Sequence, residues 1–95
     1  MDRARRRDMS ISHHDFFRLL PRALSDMPFT RHGNRVEARR AGRCVEIDVG
    51  PESKRRLGAL ELPITRISIN LSGFGAEEEA AFLERFDLAY RRGGG

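Results

Sequence analysis

The 95-residue chain has one cysteine, no tryptophan, one tyrosine and one lysine. A lone Cys44 excludes an intrachain disulfide, and without a second cysteine there is no CxxC redox pair and no zinc knuckle. No stretch approaches the roughly 18 consecutive apolar residues that span a bilayer. The basic start, Met1-Asp2-Arg3-Ala4-Arg5-Arg6-Arg7-Asp8, is not followed by the apolar run of about 7 to 15 residues that a secretory signal needs. These absences lead to the expectation of a soluble, cytoplasmic chain, bacterial by composition, with no membrane partner. Aromatic residues are scarce at 7%, and Phe16, Phe17, Phe29, Phe74, Phe82, Phe86 and Tyr90 all lie outside residues 35–71.

Catalytic signatures are missing as well. There is no Gly-rich phosphate loop ending in Lys-Ser or Lys-Thr, no GxSxG elbow and no HExxH. Gly73-Phe74-Gly75 precedes a helical pattern, but Glu78 stands where a dinucleotide fingerprint has its third glycine, and Glu77, Glu78 and Glu79 would repel a phosphate. His13 and His14 are neighbours and would point about 100° apart on a helix, so they do not form the i, i+4 pair that binds zinc from one face. No catalytic residue, metal ligand or cofactor is expected, and the chain reads as a non-enzymatic domain.

Charge is plentiful. Lys and Arg number 18 against 14 Asp and Glu, a formal +4. The skew toward Arg, Ala, Gly and Pro follows GC-rich coding, which discounts the bare arginine count; position matters more. Residues 31–43 carry Arg31, Arg35, Arg39, Arg40 and Arg43 against Glu37 alone, and Lys54-Arg55-Arg56 follow. Arg35, Arg39, Arg40, Arg43, Lys54, Arg55 and Arg56 are therefore the candidate contacts for an anion such as a nucleic-acid backbone. With no aromatic ring between residues 35 and 71, base stacking on that region is excluded and any such binding would be electrostatic.

The periodicities predict an α+β domain over residues 11–92, between an Arg-rich disordered tail (1–10) and a glycine tail (93–95). Ser12 as N-cap with Asp15 three residues on, and Ile11 paired with Phe16, are two helix-start devices that agree. Pro21 should kink or split that helix, and Met27-Pro28 should end it. Residues 35–40 and 43–49 alternate with period two around Ala41-Gly42 and predict a hairpin. Its simple register sets Val36 against Ile47, Ala38 against Val45 and, unfavourably, Glu37 against Glu46, so either a bulge at Gly42 or diagonal Arg35 and Arg39 must resolve the clash.

Residues 50–56 read as a basic loop. In residues 57–72, Leu60, Leu62 and Ile64 alternate on even positions, whereas Ile67, Ile69 and Leu71 alternate on odd ones. That parity change predicts one long bulged strand or two short ones, with Pro63 at an edge or at the irregularity. Residues 76–92 form the strongest helix pattern, acidic at its start and basic at its end. Both helices are expected on one face of an antiparallel sheet, with Phe16, Leu20, Val45, Ile47, Ile67, Ile69, Phe82, Leu83 and Phe86 in the core.

The end of the chain, Arg91-Arg92-Gly93-Gly94-Gly95, resembles the diglycine tails of ubiquitin and bacterial sulfur carriers over those residues only. In those families the tail leaves a strand, whereas here a helix precedes it, so the glycines read as a cap and a trailing end. A protein partner or a homodimer is the leading expectation. Ala81 and Leu88 would leave an apolar spot on the last helix, and residues 65–71 would offer a pairing edge. Nucleic acid is the alternative partner.

Overall fold

A computed structural model describes residues 4–93; residues 1–3 of the expected tail and Gly94-Gly95 lie outside them. In chain order the elements are β1 (Arg5–Met9), α1 (His13–Ala23), β2 (Phe29–His32), β3 (Arg35–Arg40), β4 (Arg43–Leu57), β5 (Leu60–Ser72) and α2 (Ala76–Gly93). The five strands form one antiparallel sheet in the order β1-β5-β4-β3-β2. Among the described residues no helix is long and apolar enough to cross a membrane.

Helix α1 starts as its sequence dictates. The Ser12 hydroxyl accepts the Asp15 N–H at 3.1 Å, which satisfies one of the free donors of the first turn. Pro21 does not split the helix. It lies exposed in the last turn, and α1 runs through it to Ala23. The chain then leaves through Ser25 and Asp26, both at positive φ, and the Pro21 carbonyl accepts the Asp26 N–H at 3.0 Å.

The β3–β4 hairpin has the simple register, with Val36 opposite Ile47, Ala38 opposite Val45 and Glu37 opposite Glu46. Ala41 and Gly42 both take positive φ, +52° and +77°, as a mirrored two-residue turn requires. No bulge relieves the glutamate pair. Instead Arg35 donates to Glu46 at 2.8 Å and Arg39 lies 3.3 Å from Glu37, the diagonal neutralisation that was the second solution.

One apolar cluster joins Val36, Ala38, Val45, Ile47, Ile67 and Ile69 of the sheet to Phe16 and Leu20 of α1 and to Phe82, Phe86 and Tyr90 of α2. Leu83 is half-buried against it. The helices meet directly: the Phe16 and Tyr90 rings stack with centroids 5.1 Å apart, and the Tyr90 hydroxyl donates to the Phe16 carbonyl at 2.9 Å. Burial pushes the Tyr90 phenol pKa up, so it stays a donor across the physiological range.

Two strands depart from the sequence expectation. Residues 5–9, expected as part of a frayed tail, are the edge strand β1, and residues 29–32 are the opposite edge, β2. Neither shows an apolar alternation because Arg5 and Arg7 share the inward positions of β1 with Met9, and Arg31 shares those of β2 with Phe29. Arg5 pairs with Glu79 and Arg7 lies 3.1 Å from Asp87, both on α2. Arg31 of β2 lays its guanidinium 3.4 Å from the centre of the Phe17 ring. Inward-pointing charge is a device that blunts sheet edges. A further correction follows: residues 65–69, most of the expected pairing edge at 65–71, sit between β1 and β4 and are not free.

Candidate binding surfaces: a protruding arm and a divided set of arginines

The expected basic loop at residues 50–56 is strand. β4 continues through it to Leu57, and a turn at Gly58-Ala59 returns the chain along β5. Strand β3 ends opposite Asp48 and β1 ends opposite Thr65, so residues 52–57 and 60–64 project beyond the sheet as a two-stranded arm. Residues 51–60 are all exposed, and the molecule measures 46 × 27 × 25 Å.

The irregularity predicted from the parity change lies on the partner strand. Register shifts between Val49 and Glu52 of β4, while β5 runs unbroken from Leu60 to Ser72. Gly50 is required there, because a Cβ would stand 2.8 Å from the Arg66 carbonyl oxygen. With β5 regular, the odd residues Ile67 and Ile69 face the core and the even residues Leu60, Leu62 and Ile64 face the other side. The apolar alternation changes faces with no break in the strand. Pro63 lies where it was expected, on the stretch of β5 that has no β1 neighbour.

By cross-strand register, Leu57, Leu60, Leu62 and Ile64 form one stripe with Ser53 and Arg55 on the arm face away from the core. Leu57 and Leu60 at the tip are 54% and 64% exposed, the largest values for big apolar side chains among the described residues. The opposite arm face carries Glu52, Lys54, Arg56, Glu61 and Pro63. The start of α1 fixes the base of the arm. The His13 backbone N–H donates to Glu52 at 2.7 Å, its ring Nε2 lies 2.7 Å from the Gly50 carbonyl, and the buried Thr65 hydroxyl donates to the Ile11 carbonyl at 2.8 Å. A carboxylate at a helix N-terminus is favourable, so Glu52 serves as an anchor.

The fold divides the seven candidate anion contacts into three groups. Arg35 and Arg39 lie on the polar sheet face, which also holds Arg6, Arg66, Asp8, Glu37, Glu46 and Asp48, so its formal charge sums to zero. Arg35 reaches Glu46 at 2.8 Å and Asp48 at 3.9 Å; Arg66 reaches Asp8 at 2.7 Å and holds its carboxyl below the usual aspartate range. Arg40 and Arg43, paired across the hairpin end, lie on the core side. Arg43 pairs with Glu78, and Arg40 donates to the Asp26 carbonyl at 2.8 Å. On the arm, Lys54 and Arg56 share Glu61, each at 3.4 Å. Arg55 has no ion pair within 4 Å among the described residues.

Ala81 and Leu88 are both exposed on α2, Leu88 at 38%. Cys44 is half-buried on the polar face of β4, and no group of three or more His, Cys, Asp or Glu among the described residues is placed to hold a metal ion. The arm stripe is the feature that sequence reasoning did not assign to a surface. Its signal, the parity change, was visible, but the face it belongs to is set by the β4 register. No family model, no curated protein and no solved structure matches the chain.

Proposed function

We propose that this chain is a non-enzymatic binding domain that acts by protein–protein contact, with the β4–β5 arm as its contact element. The observation that carries the reading is the stripe of Leu57, Leu60, Leu62 and Ile64 on the arm face away from the core. A two-stranded ribbon is marginal in water by itself, and exposed leucines at its tip add nothing to its stability. A partner that covers them gains apolar burial.

The occupant that fits is an extended, apolar and acid-bearing segment of another protein. Among the described residues no strand pairs with the outer edge of residues 52–57, beyond the reach of β3, so an added strand finds its hydrogen bonds there. Its alternate side chains extend the leucine stripe, and a carboxylate among them meets Arg55. A second copy fits less well. Two arms overlapped about a two-fold axis set Arg55 against Arg55 near that axis, and a face of about 20 by 10 Å falls short of the roughly 1,000 Å² of a stable interface.

Electrostatic nucleic-acid binding is the alternative, and the charge map supports it less. The polar face is neutral overall, and three of the five candidate cations outside that face, Arg43, Lys54 and Arg56, are held in ion pairs. The test is an amide-resolved NMR titration of the whole chain with a peptide of alternating Leu and Glu, and separately with duplex DNA and single-stranded RNA, at low and physiological salt. Peptide-induced shifts confined to residues 52–64 and lost in Leu57→Ser/Leu60→Ser support the arm. Binding of nucleic acid across Arg35 and Arg39, falling steeply with salt, overturns it, as does a concentration-dependent dimer abolished by Leu88→Glu.

A further inference from the structure

We infer that the cleft between the end of α1, the β3–β4 turn and the first turns of α2 is a site for a small organic anion with an apolar body. This reading is independent of the arm. The cleft encloses about 320 Å³, at the lower end of the range of small-molecule sites. Leu24, Met27 and Phe82, all members of the core cluster, line it and supply an apolar floor.

Its rim is cationic. Arg40 and Arg85 both line the cleft. Among the described residues the Arg40 guanidinium makes one hydrogen bond, to the Asp26 carbonyl, which leaves most of its five donors unused there. Arg85 has no ion pair within 4 Å among the described residues. Arg43 is already matched by Glu78 and lies 5.6 Å from the Phe74 ring centre, so it closes one wall and does not compete for the anion. The nearby charges therefore leave Arg40 and Arg85 as the two cations lining the cleft that no carboxylate among the described residues offsets within 4 Å. A carboxylate accepts paired N–H donors from guanidinium in a planar fork, which selects it over a neutral polar group.

The backbone at the lip agrees with a built feature. Ser25 and Asp26, neither of them glycine, hold φ of +55° and +61°, fixed by their N–H bonds to the Arg22 and Pro21 carbonyls, and the Asp26 carbonyl receives Arg40. The last-turn carbonyls of Leu20, Pro21 and Arg22 are each occupied by a backbone N–H, so the negative end of α1 is not presented bare to an incoming anion.

The test uses three probes that separate charge from body: 4-phenylbutyrate, the uncharged 4-phenylbutanol and acetate, each titrated at millimolar concentration into the full chain and followed by amide shifts. Saturable shifts at residues 24–27 and 81–82 with phenylbutyrate alone are expected. Arg40→Ala and Arg85→Ala should each weaken that binding by about fivefold or more, because each removes charge-assisted hydrogen bonds. Ala81→Trp, on an exposed lining position, should abolish binding with an unchanged thermal midpoint. The proposal is overturned by equal binding of the alcohol, by wild-type affinity in both arginine variants, or by no saturable shift in a chain whose spectrum shows it folded.

Discussion

The same two strands, β4 and β5, are used in opposite ways along their length. Where residues 45–49 pair with residues 67–71, the inward side chains are buried under the helices and the outward ones are polar and internally neutralised. Beyond the bulge at Gly50-Pro51 the strands meet a helix only at the start of α1 and, among the described residues, have no neighbouring strand from residue 52 to 64, and the apolar side chains stand on the other face. Hydrogen-bond pairing alone therefore does not decide what a strand pair does. The layer that covers it does, and among the described residues only the start of α1 meets the arm, at its base.

The sharpest break of that comparison is a matched truncation within β5. Ile69→Ala removes a fully buried side chain and should cost about 2–5 kcal/mol, whereas Leu60→Ala at the 64% exposed tip should stay within about 0.5 kcal/mol. Urea unfolding of the two variants measures both; equal costs would mean that the arm is covered by the body of the molecule. At the junction, Gly50→Ala forces a Cβ against the Arg66 carbonyl and should cost about 1–3 kcal/mol, with the largest amide shifts at residues 50–52 and 64–66. A clean spectrum at unchanged stability would show that the bulge tolerates a side chain.

Smaller effects report on the anchors. Tyr90→Phe removes the hydrogen bond that joins the two helices and should lower stability by about 1 kcal/mol, read as a shift of the urea midpoint at constant slope. Glu52→Gln keeps an acceptor but removes the charge at the start of α1. It should cost about 0.3–1 kcal/mol and raise amide exchange in the arm before the core.

The edge strand β1 adds a pH signature. The Asp8 pKa is lowered chiefly by its hydrogen bond from Arg66, so the contribution of that pair is fully present above the unfolded-state aspartate pKa. It is lost as pH falls through the lowered native value. Amide exchange in residues 5–9 should quicken over that acidic window ahead of β4, and Asp8→Asn should remove the transition.

Several features were legible in the residues because local chemistry dictates them. The Ser12 cap, the two-residue turn at Ala41-Gly42 and the inward set Val36, Ala38, Val45 and Ile47 all follow from spacing alone. β1 and β2 were not, because three of their five inward positions hold Arg5, Arg7 and Arg31, whose partners Glu79, Asp87 and Phe17 are distant in sequence. Among the candidate contacts, Arg35 and Arg39 share a face as expected of alternate strand residues, yet the carboxylates that offset them come from a different strand as well as their own.

Sequence by itself determined the Ser12 cap of α1, the place of the hairpin turn and the identity of most apolar core residues, since each depends on neighbours within a turn or across one tight connection. Only the tertiary structure decided which face Leu60, Leu62 and Ile64 occupy and which arginines keep free donors. Both depend on long-range pairing: a one-residue insertion in β4 sets the arm apart from the sheet, and the docking of α2 brings Glu78 to Arg43 and Arg85 to the cleft that Arg40 lines.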